Sequence, residues 1–123
     1  MQPHLISDEL NVLTKTLAGW AGRYTTLTFY VFGSRVRGDH RPNSDVDILF
    51  MWTDQPSDVD TDWWEKQNDE KFASVNLILP GKLQLQCRDD PMEAVIIEAA
   101  QRPVLRIGNI VCVWLPRLRG TSY

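Results

Sequence analysis

The stretch FYVFGSRVRGDHRPNSDVDILF, residues 29–50, decides how this chain is read. Phe29, Tyr30, Val31 and Phe32, with Leu27 just before them, form a β-prone run that stops at Gly33, where a backbone without a side chain allows close approach of a ligand. The residues around that stop suit an anion. Backbone amides at Gly33 and Ser34 open a short helix, the Ser34 hydroxyl can donate, and Arg35 and Arg37 add charge-assisted hydrogen bonds. The chain then returns with carboxylates. Asp45 and Asp47 head the apolar run Val46, Ile48, Leu49 and Phe50, so on a strand both side chains leave one face, about 7 Å apart along the backbone. Hard divalent cations take carboxylate oxygens and keep positions open for substrate phosphates, which equips such a pair, facing a phosphate turn, for phosphoryl-group chemistry. The competing reading is an ordinary strand-to-helix turn followed by surface acids, with Arg35, Arg37 and Arg41 balancing Asp39, Asp45 and Asp47. The coincidence of strand, turn, arginines and acid pair favours the site.

Residues 32–50, FGSRVRGDHRPNSDVDILF, resemble the Gly-Ser…Asp-x-Asp signature of the DNA polymerase beta-like nucleotidyltransferase superfamily, in its minimal nucleotidyltransferase branch. The resemblance implies an α/β (α+β) fold, a small mixed β-sheet flanked by helices, with residues 1–123 forming one nucleotidyltransferase-like domain. It also implies that Asp45 and Asp47 hold Mg²⁺ or Mn²⁺ and act in catalysis, while Gly33, Ser34, Arg37 and Ser44 bind a nucleoside triphosphate, ATP foremost. Arg37 matches the arginine of the Gly-Ser-x-x-Arg-Gly stretch, which meets the phosphate tail. The implied reaction moves a nucleoside monophosphate to an acceptor hydroxyl and expels pyrophosphate.

One position departs from the resembled pattern. A third carboxylate is expected on the strand after the long loop, and that place reads Val75-Asn76-Leu77-Ile78. Asn76 can offer a carbonyl oxygen to a metal but carries no charge and takes no proton from an attacking hydroxyl. Gln84 or Gln86, on the next extended segment, are the alternatives for the position, and neither is acidic. Asp69 and Glu70 precede the strand and contribute only if the loop folds back. Two function classes therefore stand side by side: a transferase, and a catalytically degenerate nucleotide-binding module that works through a HEPN-type helical partner, antitoxin-like. The partner surface expected from the residues includes Trp63 or Trp64, aromatic side chains in a charge-rich segment, and serves either a partner protein or a homo-oligomer.

The chain has 123 residues, room for one core and no second module. A net charge of −3 argues against an extended nucleic-acid surface, and therefore against a polymerase. No apolar stretch is long enough to span a bilayer, the first residues lack the pattern of a signal peptide, and a cytoplasmic protein is expected. Cys87 and Cys112 have no partner spacing and read as core thiols in a reducing compartment, and His40 reads as a solvated loop residue.

Along the chain, Ser7-Asp8-Glu9 opens a helix whose core stripe is Leu10, Leu13, Leu17 and Trp20, ended by Gly22. Strands are expected over residues 25–32, from Asp45, and over residues 74–79, the last closed by Pro80-Gly81; Leu83, Leu85 and Cys87 alternate in a further extended piece. Between the second and third strands lie a turn-rich segment around Pro56 and a polar segment to Phe72. Asp90-Pro91 starts a helix through Met92, Val95, Ile96 and Ala99, stopped by Pro103. Residues 104–115 close the domain as a hairpin or strand turning at Gly108-Asn109, with a loose tail from Leu118 to Tyr123.

Overall fold

A computed structural model of the protein describes residues 7–53, 75, 78–85 and 92–116. The first helix, α1 (Asp8–Ala21), begins where the sequence predicts: the Ser7 hydroxyl accepts the Leu10 amide at 3.0 Å, and Asp8 and Glu9 fill the first turn. Leu10, Leu13, Leu17 and Trp20 are its buried stripe, joined by Thr14 and Ala21. Next comes β1 (Leu27–Phe32), then the one-turn helix α2 (Ser34–Arg37) and β2 (Val46–Trp52), antiparallel to β1 with Phe32 beside Asp47. The remaining elements are β3 (Leu83–Leu85), α3 (Met92–Ala100), β4 (Leu105–Ile107) and β5 (Ile110–Cys112).

The five strands form one mixed sheet in the order β3-β2-β1-β5-β4. β1 lies at its centre, buried at five of its six positions, which explains its uninterrupted apolar run. Two cores lie on the two faces. α1, Phe29, Val31, Val46, Ile48, Ile110 and Cys112 share one cluster, while Phe32, Leu49, Val111, Val113, Leu115 and Ile96 of α3 make the other. β5 runs parallel to β1, with Cys112 beside Val31, and the ladder continues where the Val113 amide meets the Val31 carbonyl at 2.9 Å. The Asn109 side-chain amide donates to the carbonyls of Ala21 (2.7 Å), Tyr24 (3.1 Å) and Leu27 (3.2 Å), pinning the hairpin tip to the end of α1 and the start of β1. Cys112 is a buried thiol, as expected, 3.2 Å from the Thr14 hydroxyl and pushed up to about 11 by burial.

One expected strand is corrected. Within the stretch read as a strand over residues 74–79, Val75 is helical, and the amides of Ile78 and Leu79 both bond back to its carbonyl at 3.1 Å. The third strand is Leu83–Leu85, parallel to β2. The reason lies at Gly81, which packs so tightly on the 41–44 turn that a Cβ there would stand 1.9 Å from the Ser44 carbonyl oxygen. The chain passes that point without a side chain and only then joins β2, the Val46 amide bonding the Lys82 carbonyl at 2.8 Å. Asn76, Gln86, Asp69, Glu70, Trp63, Trp64 and Cys87, with the Asp90-Pro91 helix start and the tail from Leu118 to Tyr123, lie outside the described residues.

Candidate active site

The turn after β1 is built around Gly33, whose φ of +86° belongs to the region that favours glycine. A second demand falls on the same residue: a Cβ at Gly33 would stand 2.4 Å from Oδ2 of Asp47. β1 and β2 place Phe32 and Asp47 in register, so the buried Asp47 carboxylate rests on the turn that the sequence offers to phosphate. Asp45 sits one residue before β2 and is exposed. The Gly33 carbonyl accepts the amides of Val36 (3.1 Å) and Arg37 (3.0 Å), while those of Ser34 and Arg35 have no acceptor among the described residues. They are the donors an anion would meet.

Asp47 is 6% exposed, and among the described residues no donor bonds its carboxylate. Burial pushes its pKa up to about 6, the neighbouring Asp45 charge adds to the rise, and the Arg37 guanidinium opposes it. A buried acid without donors, beside a second acid, is an arrangement that a hard cation would neutralise, so this pair fits a divalent metal bound by carboxylate oxygens.

The two arginines of the motif part company. Arg37 stays at the site, its guanidinium 3.2 Å from Asp39 and 3.4 Å from the Leu115 carbonyl and close enough to Asp47 to lower its pKa. Arg35, read in the sequence as a second phosphate ligand, turns away and is buried. Its guanidinium donates to Glu9 (3.2 Å) and to the carbonyls of Arg41 (3.4 Å), Pro42 (3.0 Å) and Ser44 (2.8 Å). Arg35 is therefore the clamp that fixes the loop delivering Asp45. Ser44 closes that loop, its hydroxyl accepting the Arg41 amide at 2.8 Å and its own amide bonding the Arg41 carbonyl at 3.0 Å.

His40 is also corrected. It is no solvated loop residue: its ring is 14% exposed and lies 2.7 Å from the Glu9 carboxylate that also holds Arg35. Glu9 thus ties the start of α1 to Arg35 of α2 and to His40 in the loop that follows it. That network carries no motif, and the only sequence trace of it is an acid in the first turn of α1.

Register brings one candidate for the third-acid position to the acids, while Asn76 lies outside the described residues. β3 places Gln84 beside Asp47 in a parallel pair, so the two side chains leave the same face of the sheet, and Gln84 is exposed. Here a neutral amide stands next to the acid pair. Among the described residues no group of three or more His, Cys, Asp or Glu side chains comes together.

The family model for the nucleotidyltransferase domain matches residues 15–102 of this chain, a span that holds α1 from its second turn, both acids and α3. The chain belongs to that family. No curated protein and no solved structure matches it. Within the nucleotidyltransferase domain, the match covers Gly33, Ser34, Arg37, Ser44, Asp45, Asp47 and Gln84 together, and the mixed five-stranded sheet with its helices is the α+β architecture read from the sequence. Among the described residues no helix is long and apolar enough to cross a membrane.

Proposed function

We propose that this nucleotidyltransferase domain moves a nucleoside monophosphate from a metal-bound nucleoside triphosphate, ATP foremost, to an acceptor hydroxyl, in the cytoplasm. The observation that carries the reading is the Asp47 carboxylate seated against Gly33, with Asp45 beside it and the open amides of Ser34 and Arg35 at the same turn. Asp45 and Asp47 would hold Mg²⁺ or Mn²⁺, which when bound supplies charge neutralisation at the triphosphate. The Gly33–Ser34 turn would orient the phosphates through its amides and the Ser34 hydroxyl, with Ser44 fixing the approach of Asp45, and Arg37 would offset the charge that builds on the departing pyrophosphate. The acceptor oxygen forms its bond to the α-phosphorus as the bond from that phosphorus to the bridging oxygen breaks. Pyrophosphate leaves, and the acceptor's proton passes to solvent, because Gln84 cannot accept it.

A second reading is favoured by Gln84 itself. With an amide beside Asp47 where a third carboxylate would stand, metal-nucleotide binding survives while transfer is slow or silent, and the chain acts through a partner, a HEPN-type protein or a second copy of itself, in an antitoxin-like role. The two readings separate in one assay: pyrophosphate release from a nucleoside triphosphate with Mg²⁺ or Mn²⁺, with and without the product of a neighbouring gene. Release that needs Asp45 and Asp47 supports the transferase. Tight binding with no release under either condition supports the binding module.

A further inference from the structure

The sheet brings a second feature to the same end and the same face as Asp47. Asp47 alternates with Val46 and Ile48, which face α1, so its side chain leaves the sheet toward α3, as those of Phe32 and Leu49 do. α3 ends at this end of the sheet as well: after its last turn the Val104 amide bonds the Cys112 carbonyl at 2.8 Å, and Cys112 lies beside Val31. Between the second half of α3 and the stretch after β5 lies an open pocket of about 450 Å³, within the range of small-molecule sites. Its described walls include Val95, Glu98, Gln101 and Arg102 on one side and Trp114 and Leu115 on the other. Leu115 links it to the acid pair, since its carbonyl accepts from the Arg37 guanidinium that neighbours Asp47.

We propose that this pocket receives the nucleobase of the nucleoside triphosphate whose phosphates are held at Gly33, Asp45 and Asp47, an inference that rests on the proposed function. A base is a flat apolar body with a hydrogen-bonding edge, and the walls match both parts. The Arg102 guanidinium is a stacking surface beside the apolar Val95, Ala99 and Leu115, while the Gln101 amide and the Glu98 carboxylate offer donors and acceptors to a base edge. Arg37 then stands between base and phosphates. The large apolar groove lined by Val12, Leu13, Ile78 and Leu79 is no rival, because Leu13 and Leu79 belong to the α1 side of the sheet, opposite Asp47.

The test compares Mg²⁺-ATP with Mg²⁺-tripolyphosphate by calorimetry on the full chain. Val95→Trp fills the pocket from an exposed helix position, and Arg102→Ala removes a stacking partner at an exposed position just past the helix. The expected result is that the parent binds Mg²⁺-ATP roughly tenfold more tightly than Mg²⁺-tripolyphosphate, that each variant loses most of this difference, and that tripolyphosphate affinity stays unchanged. That last value also reports an intact fold. Equal affinity for the two probes in the parent, or a difference that survives both substitutions, overturns the base pocket and leaves the metal-phosphate site standing. Binding of neither probe to the parent overturns both.

Discussion

Asp47 and Gly33 meet as a carboxylate resting on a bare Cα, so close that a methyl group at position 33 would stand 2.4 Å from Oδ2. The contact joins the end of β1 to the start of β2 and sets the acid directly beneath the Gly33 turn. Gly33→Ala meets two penalties there: a φ of +86°, strained for any residue with a side chain, and a clash with buried Asp47. Thermal unfolding should show a loss of about 1–3 kcal/mol, and Mg²⁺-nucleotide affinity should fall by more than the stability loss alone explains. A variant of parental stability and affinity would mean that the contact is incidental.

The raised pKa of Asp47 gives a pH dependence with a definite sign. A carboxyl at about 6 when folded, against an ordinary 3.8, favours the protonated folded form, so in the metal-free protein this group's contribution is most favourable below pH 3.8 and is lost as pH rises through 6. Asp47→Asn should therefore raise the melting temperature of metal-free protein at pH 7 by several degrees and leave it nearly unchanged at pH 4. Protons compete with the metal in the opposite sense. The apparent Mg²⁺ affinity should fall on acidification below about pH 6, by at most about tenfold per unit. Titrations at pH 5 and pH 7 that give equal affinity would contradict it.

Register puts Gln84 forward in the third-acid test beside Asn76, which lies outside the described residues. The sequence offers Asn76 with Gln84 or Gln86 as alternatives, and the strand that pairs with β2 brings Gln84 beside Asp47. Gln84→Asp should raise the rate of pyrophosphate release, by about a hundredfold for a general-base contribution. Asn76→Asp serves as the comparison and should give no such gain. The reverse ranking would return the role to Asn76.

The two motif arginines should fail differently. Arg35→Met removes the donors that hold three loop carbonyls and leaves Glu9 with His40 alone, so it should cost about 2–4 kcal/mol of stability. Arg37→Ala should keep most of the melting temperature and weaken triphosphate binding. Chemical denaturation and nucleotide titration of both variants check this pairing; similar stability losses in the two would break it.

Much of the fold was legible because its signals are local. The Ser7 cap, the stripe Leu10–Leu13–Leu17–Trp20, the β1 run ending at Gly33 and the turn at Gly108-Asn109 each declare themselves within a few residues, and all stand where the sequence places them. The acids and the turn were legible for the same reason. The third strand was not, since residues 74–79 and 83–87 are both apolar enough to pair, and the choice between them depends on how closely Gly81 can pass Ser44, a contact between segments far apart in sequence. Arg35 misled for a related reason. A guanidinium suits phosphate and backbone carbonyls equally well, and only the fold shows that the carbonyls of residues 41–44 surround it.

The central claim, that Asp45 and Asp47 form a metal-nucleotide site on the Gly33 turn, is tested most directly by calorimetric titration of Mg²⁺-ATP into the parent and into the Asp45→Asn/Asp47→Asn double variant. The account predicts saturable, Mg²⁺-dependent binding to the parent and none to the double variant, which should unfold at an equal or higher temperature because two mutually repelling acids, one of them buried, have been neutralised. Unchanged Mg²⁺-ATP affinity in a folded double variant would contradict it.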